Sequence, residues 1–243
     1  MRVTTTVAML YPGHAAEDDY ELIASVLVAA GTDVRLPVTI TEIESDDHTV
    51  DAMAAVGEQH RLAEGLRRAQ ADQPASVMWA CTSGSFVYGL DGARRQVADV
   101  AALAGLPASS TSLAFVEACH HLGLSRVAIA ATYPDPLASR FIGFLGDGGI
   151  EVVSLRANDI GTASEAGILD GDGLFDMIAA ADHPDAEALL IPDTALHTAM
   201  WITGLEEKFA KPVLTANQVT AWQGLRLAGI NSFIPELGTL FTR

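Results

Sequence analysis

The chain has 243 residues, 49% of them hydrophobic and 19% charged, and its 31 acidic and 14 basic side chains give a formal net charge of −17. That apolar content excludes a disordered chain and is enough for the core of one large α/β unit or two units of ordinary domain size. The negative charge excludes nucleic acid and anionic membrane as partners, because both are bound through positive surface.

In chain order the pattern alternates strand and helix throughout. Strands are predicted near 4–10, 33–38, 75–81, 126–132, 151–155 and 186–191, with short ones near 107–109 and 212–214. Helices are predicted near 17–30, 51–71, 91–104, 112–122, 136–146, 163–181, 198–209 and 217–227, several of them closed by glycine, as at Gly31, Gly105, Gly123 and Gly229. Asp170-Gly171-Asp172-Gly173 reads as a turn before a helix. Strands separated by helices predict parallel sheets with helices outside, joined by right-handed crossovers.

The chain also repeats itself in outline. Thr6 to Pro12 is echoed by Val127 to Pro134, Ala75 to Ser85 by Ala186 to His197, and the Leu106-Pro107 region by Lys211-Pro212. The three pairs keep their order while their separations shrink steadily, as a duplication with a few deletions requires. We therefore expect two pseudosymmetric α/β lobes, each a parallel sheet flanked by helices, with the active site in the cleft between them. The first lobe is expected to comprise 1–110 plus 217–243 and the second 111–216, packed as one compact unit.

Two cysteines are too few for a disulfide framework. No stretch reaches the roughly 18 apolar residues of a membrane span, and no leader pattern is read near the start. A cytoplasmic protein is expected, with homo-oligomerisation left open. Neither a Gly-x-Gly-x-x-Gly nor a Gly-x4-Gly-Lys loop is present, so no nucleotide cofactor is expected. The scattered histidines give no metal-ligand spacing, so no metal is expected either.

Cys81 and Asp193 fall at matching strand ends, where open parallel sheets bind ligands. At a strand-to-helix turn, free N–H groups and the helix dipole are expected to lower a thiol pKa. Thr82, Ser83 and Thr194 supply hydroxyls for gripping a carboxylate, and Tyr133 offers a phenolic donor. Tyr11 and His14 are candidate lining residues, although Tyr-Pro is equally a turn signal. Asp193 reads either as an acid-base group or as a helix N-cap. Cys119 lies at helical spacing with Phe115 and Leu122 and reads as core.

These residues resemble the aspartate/glutamate racemase superfamily, in its arylmalonate decarboxylase and maleate cis-trans isomerase branch. The resemblance covers nearly the full chain and is carried by Cys81-Thr82-Ser83-x-Ser85-Phe86, Ala131-Thr132-Tyr133, Pro192-Asp193-Thr194 and the tail from Ala221 to Gly229. It implies two lobes closing over a small carboxylate or dicarboxylate without metal or organic cofactor. Racemases and isomerases of this type carry one cysteine per lobe, and the decarboxylase keeps only the second. Here the first position holds Cys81 and the second holds Asp193. His14 stands near where isomerases of this type tend to carry asparagine. The resemblance implies a cofactor-independent isomerase working through a Cys81 thiolate. The alternatives are a decarboxylase-like lyase or racemase moving protons with Asp193 and Cys81, and a non-catalytic binder of small carboxylates.

Overall fold

A computed structural model of the protein describes residues 4–243, so the first three residues of the expected first lobe lie outside the described residues. The elements follow the predicted alternation. They are β1 (Thr5–Pro12), α1 (Asp19–Ala29), β2 (Val34–Arg35), β3 (Val38–Thr41), α2 (Val50–Val56), α3 (Gln59–Ala69), β4 (Ser76–Trp79), α4 (Ser83–Phe86), α5 (Gly89–Ala104), β5 (Ala108–Ser110) and α6 (Thr111–Leu122). There follow β6 (Arg126–Ala131), α7 (Asp135–Asp147), β7 (Glu151–Ala157), α8 (Ala163–Gly167), α9 (Gly171–Ala179), β8 (Ala188–Ile191), α10 (Ile202–Phe209), β9 (Val213–Thr215) and α11 (Ala216–Leu227).

Two all-parallel sheets result. The first runs β2-β1-β4-β5, with β3 also pairing β1, and the second runs β7-β6-β8-β9. In each sheet the strands at the centre are short apolar runs buried along their whole length, as Val77-Met78-Trp79 of β4 and Ala188-Leu189-Leu190-Ile191 of β8 are, and the buried Ser76 that opens β4 donates its hydroxyl to the Gly224 carbonyl at 2.7 Å. A strand covered by helices on both faces must be apolar at every position rather than at alternate ones. Side chains of β6 divide accordingly, Val127, Ile129 and Ala131 joining one core cluster and Ala128 and Ala130 another. The larger cluster also contains Phe86 and Phe115 of the first half of the chain, whose rings meet Phe141 of α7 at 5.2 and 5.6 Å. The two sheets thus share a core, and the sheets' carboxyl ends are held in fixed relation.

Three predicted elements are interrupted, each for a local reason. The strand expected over 33–38 is two short strands, because Pro37 lacks the N–H that would continue the ladder. The helix expected over 51–71 breaks at Gly57, where a Cβ would stand 2.1 Å from the carbonyl oxygen of Gly84. Gln96 donates from Nε2 to both the Gly57 and Gly84 carbonyls, at 2.8 and 2.9 Å, and fastens that close approach. The helix expected over 163–181 restarts at Asp170, whose carboxylate accepts from Gly173 N–H at 2.9 Å as an N-cap. The Gly57 break bears on function, because it lets α2 press against the loop that carries Cys81.

Candidate active site

The chain leaves β4 through Ala80 and turns at Cys81 into the four-residue helix α4. One backbone donor, Gly84 N–H, reaches the Cys81 sulfur at 3.3 Å, and the Ser83 hydroxyl stands 3.9 Å away. A Cβ at Gly84 would meet both this sulfur and the Trp79 ring at 3.1 Å, so a bare backbone is needed there. Burial pushes the thiol up to about 12, the Gly84 and Ser83 donors offset only part of this, and the charge of Asp193 adds to it. The expected lowering by the helix is therefore corrected. A single turn of helix has little dipole to offer, and one N–H on sulfur does not outweigh desolvation.

On the other side β8 ends at Ile191 and Asp193 follows, buried. Its Oδ1 accepts from Ala195 N–H at 2.9 Å, and its Oδ2 accepts from the Thr132 hydroxyl at the end of β6. No helix begins at this point, since the next helical turn starts at Ala199, so Asp193 shapes a tight side-chain-to-backbone turn instead of an N-cap. Cys81 and Asp193, from the two sheets, line one cavity of about 30 Å³. That is close to the volume of one water molecule in the liquid.

Of the other predicted site residues, Tyr11, Ser83 and Thr194 line the same cavity. Tyr11 ties the two halves together: its hydroxyl donates to the Thr194 carbonyl at 2.8 Å and accepts from Ala16 N–H at 3.1 Å. Thr82 and Tyr133 are buried behind these lining residues. The Tyr133 hydroxyl donates to the Pro192 carbonyl, and burial holds its pKa well above the usual tyrosine value. The Thr82 hydroxyl is buried without a hydrogen-bond partner among the described residues. His14 is not brought to the site. Its ring is 74% exposed and pairs with Glu17, 2.6 Å away on the surface.

A residue that sequence reasoning missed takes a prominent place. His48 lines the cavity with a side chain only 2% exposed, its Nε2 3.9 Å from Asp193 Oδ2 and its ring edge-on to Tyr133 at 5.0 Å. The segment before α2 carries it across to the second half of the chain. There His48 N–H donates to the Gly161 carbonyl at 2.7 Å, and Ser164 donates from its N–H and hydroxyl to Asp46 at 3.0 and 2.5 Å. The available signal was an isolated histidine in an acidic segment just ahead of a helix, which by itself reads as surface.

The family model for arylmalonate decarboxylase matches residues 40–241. Arylmalonate decarboxylase of Bordetella bronchiseptica is 28% identical over 183 residues, covering 74% of this chain and 76% of that protein. Maleate isomerase of Pseudomonas putida is 27% identical over 194 residues, covering 76% and 75%. Among solved structures, a cysteine-to-serine mutant of Nocardia farcinica maleate cis-trans isomerase with a covalently bound succinylcysteine intermediate matches with a TM-score of 0.88. It covers 98% of each chain at 21% identity, a likeness of fold. The resemblance read from the strand-end motifs is thus borne out, and this chain belongs to the arylmalonate decarboxylase family.

Proposed function

We propose that the protein is a cofactor-independent isomerase of small carboxylates and dicarboxylates, of the maleate cis-trans type, with Cys81 as its nucleophile. The observation that carries this reading is the placement of the Cys81 thiol at the end of β4, in a cavity that Asp193 closes from the other sheet. Both sequence relatives act on small carboxylates by name, and the structural relative carries its intermediate on cysteine. In the step we envisage the sulfur adds to one carbon of a cis double bond and the π pair moves onto the neighbouring carboxylate as an enediolate. The former double bond is then single and rotates. Return of the pair expels the thiolate and leaves the trans product, with no net change of oxidation state. Ser83 and Thr194, which line the cavity, are suited to hold carboxylate oxygens, and the unpartnered Thr82 hydroxyl lies behind them.

A second reading has its own support. A thiol held protonated by burial, facing a carboxylate across one cavity, is arranged for one-sided proton delivery to an enediolate, as decarboxylation or racemisation requires. Incubating the enzyme in deuterated water with maleate, substituted malonates and amino-acid enantiomers separates the readings by proton NMR. Maleate giving fumarate supports the first, and deuterium entering a malonate-derived product or an amino acid supports the second. Turnover of none of these would leave a carboxylate-binding protein.

The strands of the first sheet fall within 5–110 and α11 packs on β4 and β5, which supports lobes of 1–110 plus 217–243 and 111–216. No helix among the described residues is long and apolar enough to cross a membrane. Both cysteines are free and buried, which suits a reducing compartment such as the cytoplasm.

A further inference from the structure

A sulfur that attacks must first lose its proton, and burial holds Cys81 protonated. Besides Cys81, four ionisable side chains line the cavity: Tyr11, Asp46, His48 and Asp193. Tyr11 is itself pushed up by burial, and its hydroxyl hydrogen is committed to the Thr194 carbonyl. Asp46 is held below the usual carboxylate range, chiefly by the Ser164 hydroxyl, and makes a weak base. Asp193 already accepts from Ala195 N–H and the Thr132 hydroxyl.

His48 is differently placed. Its Nδ1 lies 2.9 Å from the Ile160 carbonyl, which can only accept, so Nδ1 carries the hydrogen. In the neutral ring the lone pair is therefore on Nε2, the atom 3.9 Å from Asp193 Oδ2. Resting on the reading of Cys81 as nucleophile, we propose that His48 is the general base of this site, taking the Cys81 proton on Nε2 while Asp193 holds the resulting imidazolium. The S–H bond breaks with its pair left on sulfur, and an N–H bond forms on Nε2, directly or through one water. The cavity's net charge does not change. The cation so formed also offsets the Asp193 charge that a second substrate carboxylate would otherwise meet. The other groups facing the ring are Tyr133 and the Ile160 carbonyl from the second half of the chain. Asp46 and Asp47 stand beside it on its own segment, and Cys81 and Tyr11 lie across the cavity.

The test needs no substrate. The rate of Cys81 alkylation by iodoacetamide is followed by peptide mass spectrometry from acid to alkaline pH, with Cys119 as the internal control. In the wild type the rate should rise through an inflection well below the value near 12 to which burial pushes the thiol. In His48→Gln that inflection should vanish, and the rate at neutral pH should fall by at least about tenfold. In Asp193→Asn, where the amide can keep the turn but not the charge, the inflection should move to lower pH. An inflection unchanged in His48→Gln, or absent from the wild type, overturns the proposal. If circular dichroism shows His48→Gln unfolded, an inflection unmoved in Asp193→Asn overturns it instead. Failure to isomerise maleate with the inflection present would count against the proposed reaction and leave His48 as the base of the thiol.

Discussion

The turn leaving β4 and the turn leaving β8 each aim a backbone N–H back at a side chain, Gly84 N–H at the Cys81 sulfur at 3.3 Å and Ala195 N–H at Asp193 Oδ1 at 2.9 Å. Sulfur is a weak acceptor and the thiol stays protonated, whereas the carboxylate gains a second donor, the Thr132 hydroxyl. Matching positions at the two strand ends thus hold a buried thiol and a buried carboxyl. One side holds a proton that is hard to remove. The other holds a charge that makes removal harder still, and that can favour it only through a cation formed on His48. The difference teaches that a repeat preserves where a side chain is placed, while the few atoms around it decide what it can do.

Abolishing the thiol should break the comparison most severely. Cys81→Ser should lose turnover by about three orders of magnitude or more, because a hydroxyl of similar size is far less acidic and less nucleophilic. Its melting temperature should stay within a few degrees of wild type, and steady-state assays beside calorimetry read both. The Cys119→Ser control should do the reverse, sparing turnover and lowering stability by about 1–3 kcal/mol, since Cys119 is fully buried in the core.

On the opposite side, Asp193→Asn keeps an acceptor for Ala195 N–H but removes the charge. If the carboxylate works only as a turn former, rate and melting temperature should both match wild type. With the charge at work, turnover should fall by about 10²-fold while the melting temperature moves little. Gly57→Ala should come next, since its Cβ would collide with the Gly84 carbonyl and displace the Cys81 loop. We expect a loss of about 1–3 kcal/mol in urea unfolding, with a fall in turnover that Gly143→Ala, whose Cβ would meet nothing within 4 Å, would not share.

The smallest effect belongs to the clasp that seats His48. The Asp46 carboxyl is held below its ordinary 3.8, mainly by the Ser164 hydroxyl. A carboxyl depressed in the folded state contributes stability above its unfolded value and loses it as pH falls through the folded one. The wild-type advantage over Asp46→Asn in melting temperature should therefore hold at neutral pH, begin to shrink near pH 3.8 and disappear as pH falls further through the lower folded value. Asp46 is half-buried at the edge of the cavity, and the advantage should be no more than a few degrees. A difference persisting at the acid end would show that the clasp does not depend on that charge.

Much of the fold and part of the candidate site was legible in the sequence. Apolar runs such as Val77 to Ala80 and Leu189 to Ile191 announce buried parallel strands, and their repetition announces two sheets, because such strands have no other place to go. Cys81, Ser83 and Asp193 could be found because they follow those strands directly. His48 could not, since nothing local tells a histidine in Asp46-Asp47-His48 that Gly161 and Ile160 will bond it on the far side of the cavity. His14 was misplaced for the same reason in reverse. It follows a strand end, yet the turn at Gly13 sends it outward to Glu17. The direction of the Cys81 shift was also out of reach, because it depends on how completely the lobes close over the sulfur.

The central claim is that Cys81 attacks the substrate while Asp193 serves from the other side. It is tested most directly by acid-quenching the enzyme during incubation with maleate and mapping the peptides by mass spectrometry. A succinyl adduct on Cys81, forming within the turnover time and forming more slowly in Asp193→Asn, is the predicted result. Continued turnover with no adduct on Cys81, or turnover that survives in Cys81→Ser, would contradict the account.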